Sequence, residues 1–400
     1  MRFTMRSLAV AAAFAGGSLS LLSSCAPPEV DDVPEVGTTR AGINAASTTI
    51  GGYPVWVHFT NPPAHGGDDR TILNEAIRLI NDTPSGGKIR AAIHSLTANG
   101  VYTALINAKN RGVTVQVVED GSDEFEEDTS PRQLHSALGS NHVFCGDRKA
   151  GGNYGCITTD SSGIMHTKLY TFSQTKDPNG ALRSNVVWFG SANMTYATGS
   201  QTFNNTVTIY GDAEQFNQFN TYFNQLFAQK HYSSNNFYDA SVPRGYWTGT
   251  ARVYASPDQD GDLVYNRLND IVANADCRVR VAQASIHDSR PELVDLLVRL
   301  ENGGCKVWVV ANKVESTSLG KFKSAGISVR KHDVHDKFIL VYSRFADSTD
   351  NRSLVFTGSH NWTYSANYRN DEIFVRLESE ALYSAYYDHF NDAYNNGPAM

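Results

Sequence analysis

One signature occurs twice in this chain and constrains its fold more than any other feature. His166-x-Lys168 is followed by Gly190-Ser191-Ala192-Asn193, and His335-x-Lys337 is followed by Gly358-Ser359-His360-Asn361 at nearly the same spacing. A single His-x-Lys carries little weight, because a surface strand places such residues on one face by accident. Two copies with the same tail require a duplicated half-site, and therefore a fold of two similar halves. Residues two apart on a strand point to one side, so each His and its Lys face the same spot. Each tail adds a small hydroxyl and a carboxamide, groups suited to holding an oxyanion.

Two imidazoles, two ammonium groups and two carboxamides suffice to attack a phosphodiester without a metal or other cofactor. One His attacks phosphorus, the other protonates the departing oxygen, and the cations hold the phosphoryl oxygens. In these residues the chain resembles the phospholipase D superfamily, whose motif reads His-x-Lys, four residues, Asp, then Gly-Ser-x-Asn. The resemblance covers nearly all of the chain after its leader. It implies His166, Lys168, His335 and Lys337 as catalytic residues, with Ser191, Asn193, Ser359 and Asn361 binding the substrate phosphate.

There are two departures from the family pattern. Its Asp would fall at Ser173 in the first copy and at Tyr342 in the second, so both are missing. In the family that Asp supports local structure more than it contacts substrate. The family also often carries an acidic residue about a dozen positions past Gly-Ser-x-Asn, bonded to a catalytic His. Glu372 fits that place in the second copy, while the stretch Asn204-Asn205-Thr206 in the first offers only a Thr. The expectation is that Glu372 supports His335. A carboxylate behind an imidazole raises its pKa above the free value of roughly 6.5 and favours the protonated form. His335 would then be the general acid, and His166 the nucleophile that forms a phosphohistidine for water or an alcohol to resolve.

The amino terminus suggests where this chemistry takes place. Arg2 and Arg6 precede an apolar stretch through Leu22, and Leu22-Ser23-Ser24-Cys25 ends it with small residues before a Cys. Residues 1–25 read as a secretory leader, and their ending resembles the bacterial lipoprotein box in which the Cys is lipidated. Residues 26–48, with Pro27, Pro28 and Pro34, read as a tether. Apart from Cys25, the chain holds Cys145, Cys156, Cys277 and Cys305, an even number that suits an oxidising compartment. Local pairing, Cys145 with Cys156 and Cys277 with Cys305, is expected. The latter two open successive strands on one edge of a strand, helix, strand unit. No His lies at zinc-finger spacing beside them.

At 400 residues and 41% hydrophobic content the chain exceeds one ordinary domain. Its formal charge is -7, or about -9 without the leader arginines, which disfavours nonspecific binding to a polyanion such as DNA. Strand and helix patterns alternate in the same order in residues 49–235 and 250–396, with a link over 236–249. This alternation argues for an α/β fold with a largely parallel sheet in each half. Combined with the resemblance, the expectation is two phospholipase D-like α/β sandwich halves related by pseudo-twofold symmetry, with one active site at their interface.

His94 and His287 each follow an Ile after the second strand of their half, and are read as equivalent, either as loop-edge residues or at the pocket rim. Trp362 and Tyr364 either line the channel or are buried, whereas Trp188 packs in the core.

The expected function is that of a metal-independent phosphodiesterase of phospholipase D type. It would hydrolyse phospholipid headgroup esters and could pass the phosphatidyl group to an alcohol. The expected setting is a monomer, exported and held at the membrane surface by a lipid anchor, or secreted. Two alternatives are a secreted endonuclease of the same family, which would bring nucleic acid in as substrate, and a degenerate phosphate-binding envelope lipoprotein.

Overall fold

The structure, a computed structural model, describes residues 44–122, 130–146 and 155–400. The expected leader and the tether up to residue 43 lie outside the described residues. The first half runs β1 (Ala45–Ile50), β2 (Tyr53–Thr60), α1 (Thr71–Asn81), β3 (Lys88–Ile93), α2 (Asn99–Asn110), β4 (Thr114–Glu119), α3 (Ser130–Leu138), β5 (His142–Phe144), β6 (Lys168–Lys176), β7 (Leu182–Gly190), α4 (Ala197–Ser200), β8 (Asn204–Tyr210) and α5 (Ala213–Phe227). The second runs β9 (Tyr246–Trp247), β10 (Ala251–Ser256), α6 (Tyr265–Leu268), β11 (Arg278–Ile286), α7 (Pro291–Asn302), β12 (Lys306–Val314), α8 (Ser316–Ser324), β13 (Ser328–Lys331), β14 (Lys337–Ser343), β15 (Arg352–Gly358), α9 (Tyr364–Tyr368), β16 (Glu372–Glu378) and α10 (Glu380–Asn396).

Each half builds an eight-stranded sheet, in the orders β1-β2-β8-β7-β6-β3-β4-β5 and β13-β12-β11-β14-β15-β16-β10-β9. The second order, read from its β9 edge, repeats the first strand for strand. The sheets are mixed, which corrects the expectation of largely parallel pairing. Among the described strands, parallel ladders occur where a helix crosses over, in β3-β4-β5 and β11-β12-β13. The remaining neighbours, including those carrying both motifs, are antiparallel.

Two other boundaries shift. Residues 45–48 belong to β1, paired along β2, so the last residues of the expected tether are part of a sheet. The repeated order of elements leads one to expect after β10 a helix like α1, but α6 is a single turn starting just past Asp262. Asp262 Oδ1 accepts from Tyr265 N at 2.7 Å and its Oδ2 from Arg290 Nε at 2.8 Å.

Packing arranges these elements in layers. Helix α1 buries Ile72, Leu73, Ala76, Leu79 and Ile80, the i, i+1, i+4, i+7, i+8 stripe of an amphipathic helix, with α2 in the outer core of the first half. Helices α7 and α8 cover the outer face of the second sheet in the same way. Between the sheets lies one continuous core that joins Phe219, Phe223 and Leu226 of α5 with Tyr386 and Phe390 of α10. Trp188 and Trp362 are both buried in the outer cores. The two disulfides form as expected, with Cα separations of 4.6 Å for Cys145–Cys156 and 4.5 Å for Cys277–Cys305.

Candidate active site

The glycine of each Gly-Ser-x-Asn sets the geometry. A Cβ on Gly190 would lie 2.2 Å from Asn205 O, and one on Gly358 would lie 2.3 Å from Ile373 O. Gly358 also adopts φ +142, which side chains disfavour. With no side chain there, β7 closes on β8 and β15 on β16. Ser191 N then donates to Asn205 O, and Ser359 N to Ile373 O, both at 3.0 Å.

The segments ahead of the two His-x-Lys strands cross to the opposite half. His166 N donates to Asp371 O at 3.0 Å, and Asp371 N donates to Ile164 O at 2.9 Å. In the same pattern His335 N donates to Phe203 O at 2.8 Å, and Phe203 N donates to Asp333 O at 3.0 Å. Asp371 and Phe203 are thus counterparts, and so are the residues after them, Glu372 and Asn204.

This register corrects the expected partner of Glu372. Its Oε2 lies 2.8 Å from Nδ1 of His166, whereas Nδ1 of His335 lies 3.0 Å from Oδ1 of Asn204. Counting along one half suggested that Glu372 serves its own His. The crossing puts each acceptor behind the imidazole of the other half, and Asn204, not Thr206, stands in for the carboxylate. In each case Nδ1–H donates to an oxygen, which leaves Nε2 as the reactive nitrogen.

The serines, expected to bind phosphate, sit beside these acceptors and are engaged within the protein. Ser191 Oγ donates to Asn204 Oδ1 at 3.1 Å and accepts from Asn205 N at 3.0 Å. Ser359 Oγ accepts from Ile373 N at 3.1 Å, and Glu372 Oε1 accepts from Asn370 Nδ2 at 3.0 Å. Both serines are fully buried. By contrast Oδ1 of Asn193 and of Asn361 is sealed without a partner among the described residues, so it is the Nδ2 donor of each carboxamide that suits a phosphoryl oxygen.

The lysines are equivalent. Lys168 Nζ donates to His166 O at 2.5 Å and Lys337 Nζ to His335 O at 2.6 Å, so each ammonium is aimed by its own motif's backbone. Burial, then the Lys337 charge, pushes Lys168 well down, and burial pushes Lys337 down to about 7 against the opposing pull of Glu372 and Asp336. Burial followed by the nearby lysines also holds His166 and His335 well below the usual imidazole range. Glu372 is pushed up by burial. Two lysines and two imidazoles thus converge around Glu372, with Asp120 and Asp336 acting on the lysines from behind, an environment that favours an anionic ligand.

Asp371 and His94 adjoin this set, while the family's Asp position lies farther along its strand. Asp371 accepts from the backbone N–H groups of Cys156, Ile157 and Thr158 at 2.5, 3.0 and 2.9 Å, tying the end of the Cys145–Cys156 loop to the strand that carries Glu372. Ser173, at the family's Asp position, accepts from Lys88 N at 2.8 Å, a structural bond between strands; Tyr342, its counterpart, is exposed. His94 stands edge-on to His166 with ring centroids 5.1 Å apart.

His94 and His287 are not equivalent, contrary to the sequence reading. His94 N donates to Thr167 O, and Ala284 N donates to Asp336 O, so the counterpart of His94 is Ala284. The strand β11 runs longer, and His287 falls at the register of Thr97, where both donate to the residue after the catalytic Asn. Its Nδ1 lies 3.8 Å from Glu315 Oε1, and Tyr364 is exposed. Sequence reasoning had only the position of His94 past a strand to go on.

Comparison with known proteins follows this geometry. Residues 77–227 and 268–394 match the family described as cardiolipin synthase, PLD-like domain. No curated protein sequence matches the chain. Among solved structures, phosphatidylserine synthase from Haemophilus influenzae Rd KW20 aligns over 86% of this chain and 87% of its own, at 11% identity and a TM-score of 0.56. Polyphosphate kinase from Porphyromonas gingivalis aligns over 84% of this chain at 12% identity and a TM-score of 0.56, and the chain spans 50% of that protein. At such identities these likenesses speak for the fold alone. The family match falls on both halves and brackets both His-x-Lys and both Gly-Ser-x-Asn segments, and the chain is a member of the phospholipase D superfamily.

Proposed function

We propose that the protein hydrolyses phospholipid headgroup esters through a phosphohistidine, with His166 as nucleophile and His335 as general acid. The observation that carries the assignment of roles is the unequal support of two crossed imidazoles, Glu372 behind His166 and Asn204 behind His335. When Nε2 of His166 bonds to phosphorus, Nδ1 keeps its proton and the ring becomes cationic. A carboxylate at 2.8 Å offsets that charge, whereas a carboxamide does not. His335 gives its Nε2 proton to the departing headgroup oxygen as the P–O bond breaks, and ends the step neutral, which suits a neutral partner. Water then attacks phosphorus, His335 takes its proton, and the P–N bond breaks. An alcohol in place of water gives transfer.

Lys168 and Lys337 hold the non-bridging oxygens, with Asn193 and Asn361 donating alongside. The roles match those read from the sequence, but for a different reason: the carboxylate supports the nucleophile. Export with lipidation at Cys25 is part of the proposal. The leader pattern supports it, and so do two disulfides, which are at home in an oxidising compartment.

The test is headgroup release from mixed phospholipid vesicles with EDTA, next to cleavage of single- and double-stranded DNA. Lipid turnover abolished by His166→Ala and by His335→Ala is expected. DNA cleavage without lipid turnover would sink the lipid reading.

A further inference from the structure

The two halves supply matching His, Lys and Asn groups, yet one wall of the cleft has an imidazole with no counterpart. His94 follows β3, and its place in the second half is taken by Ala284. Its Nδ1 lies 3.1 Å from Met165 O, an acceptor, so that nitrogen carries the proton and Nε2 presents a lone pair. Nε2 makes no hydrogen bond to any described residue and is not among the sealed, unpartnered polar atoms. The ring is fixed by this bond and by its edge-on contact with His166.

His166 spends its own Nε2 lone pair on phosphorus, and the Oδ1 atoms of Asn193 and Asn361 are sealed, so the open lone pair of His94 is an acceptor that the attack does not use. The phosphoryl oxygens are acceptors, and Lys168, Lys337, Asn193 and Asn361 already offer donors to them. An acceptor in the same cleft is matched only by a donor on the substrate. An ammonium would add positive charge beside two lysines, while a hydroxyl donates without doing so. Burial, then the Lys168 charge and the neighbouring His166, keep His94 well below the usual imidazole range, so the lone pair persists at neutral pH.

We propose that His94 is a specificity-determining residue whose Nε2 accepts a hydrogen bond from a hydroxyl on the esterified headgroup. The chain would therefore prefer hydroxyl-bearing headgroups to alkyl ones of the same length. This rests on the phospholipase reading above. A site built to pair a substrate hydroxyl discriminates strongly against the analogue without it, because the acceptor is then buried unpaired.

The experiment compares kcat/KM on short-chain phosphatidylglycerol and phosphatidylpropanol, which differ only in the headgroup hydroxyls. Wild-type protein is expected to favour phosphatidylglycerol by at least about tenfold. In His94→Ala the ratio should fall to about one. In His94→Gln, which keeps an acceptor oxygen, a preference should remain, and this variant also separates loss of the hydrogen bond from loss of fold. A wild-type ratio near one, or an unchanged ratio in His94→Ala, would overturn the proposal. So would equal loss in both variants. Failure of the phospholipase reading looks different: wild type would cleave neither lipid, yet would release nitrophenolate from bis(p-nitrophenyl) phosphate. A hydroxyl preference seen only between ribo- and deoxyribo-dinucleotides would overturn the assignment to a lipid headgroup.

Discussion

The carboxylate of Glu372 and the imidazole of His166 meet at 2.8 Å across the boundary between halves, 206 residues apart in the chain. Each half therefore supplies the support for the other half's histidine, and neither half holds a complete site. Glu372→Gln keeps an oxygen near Nδ1 but removes the charge that offsets the cationic phosphohistidine. A fall in kcat of about 10²-fold or more is expected, within the usual range for acid–base machinery. Stopped-flow measurement of the first product on bis(p-nitrophenyl) phosphate should show that the loss lies in phosphoenzyme formation. A normal burst followed by slow turnover would argue that Glu372 serves the second step instead.

On the opposite side, Asn204→Asp places a carboxylate behind His335. An anion 3.0 Å from Nδ1 raises the pKa of that imidazole, so the acid remains protonated to higher pH. The pH–rate profile should extend upward on its alkaline side, with little loss at acid pH. If His335 were the nucleophile, the same change would shift the acidic limb, because more imidazole would have to lose a proton before attack.

Wild-type protein should itself work best on the acid side of neutrality. kcat/KM reports the free enzyme. In that state burial pushes Lys337 down to about 7 and holds His335 well below the usual imidazole range. Both must be protonated to act. Lowering a base's pKa means that its proton is lost earlier as pH rises, so kcat/KM should decline through pH 7 and above. Bound anionic substrate favours the charged forms, and kcat should hold to higher pH than kcat/KM. A kcat/KM that rises between pH 7 and 9 would contradict this ordering.

Much of this arrangement is legible in the sequence. The repeated signature gives two halves, their order of elements and the four His and Lys residues, because each motif encodes its local strand and turn. Helix α7 begins at Pro291 and ends before Gly303-Gly304, as its pattern indicates. What the sequence hides is any relationship made across the interface. The crossing of Glu372 to His166 depends on a backbone bridge between Asp371 and the His166 segment, and nothing local announces it. The antiparallel character of the sheets is hidden for a related reason, since strands β8, β7 and β6 come to lie between β2 and β3 only in space. His94 is visible as a residue, but its separation from His287 comes from the greater length of β11, which the apolar run alone does not set.

The interface is also held by a buried polar knot centred on Asn205. Its Nδ2 donates to Asp336 Oδ1 at 2.6 Å, and its Oδ1 accepts from Thr357 Oγ1 at 2.6 Å and Tyr386 OH at 2.8 Å. Asp336 also lies 2.9 Å from His389 Nε2. Asn205→Ala strands three buried partners in the second half, at about 1–3 kcal/mol for each unsatisfied group before relaxation. A loss of several degrees in Tm is expected by calorimetry, whereas Asn205→Asp should be worse, because it sets a second carboxylate against Asp336. Equal stability of the two variants would mean that the knot contributes shape rather than hydrogen bonding.

The two disulfides should separate stability from function. Both close short loops, of 11 and 28 residues in separation, and loop-closure entropy assigns each about 3 kcal/mol of stabilisation, slightly more for the longer. Cys277–Cys305 joins the starts of β11 and β12, at the strand ends away from the motifs. Its double Ser variant should melt earlier but keep kcat at 25 °C. Cys145–Cys156 acts at a different place, because Cys156 N and the two N–H groups after it grip Asp371, the neighbour of Glu372. Without that bridge the loop end loosens, Asp371 loses its anchor, and Glu372 is less firmly set behind His166. The Cys145→Ser/Cys156→Ser variant should therefore lose activity beyond its loss in Tm, with the deficit in kcat rather than KM. Matching kcat in the two double variants, measured well below their melting temperatures, would show that Asp371 holds its place without the loop.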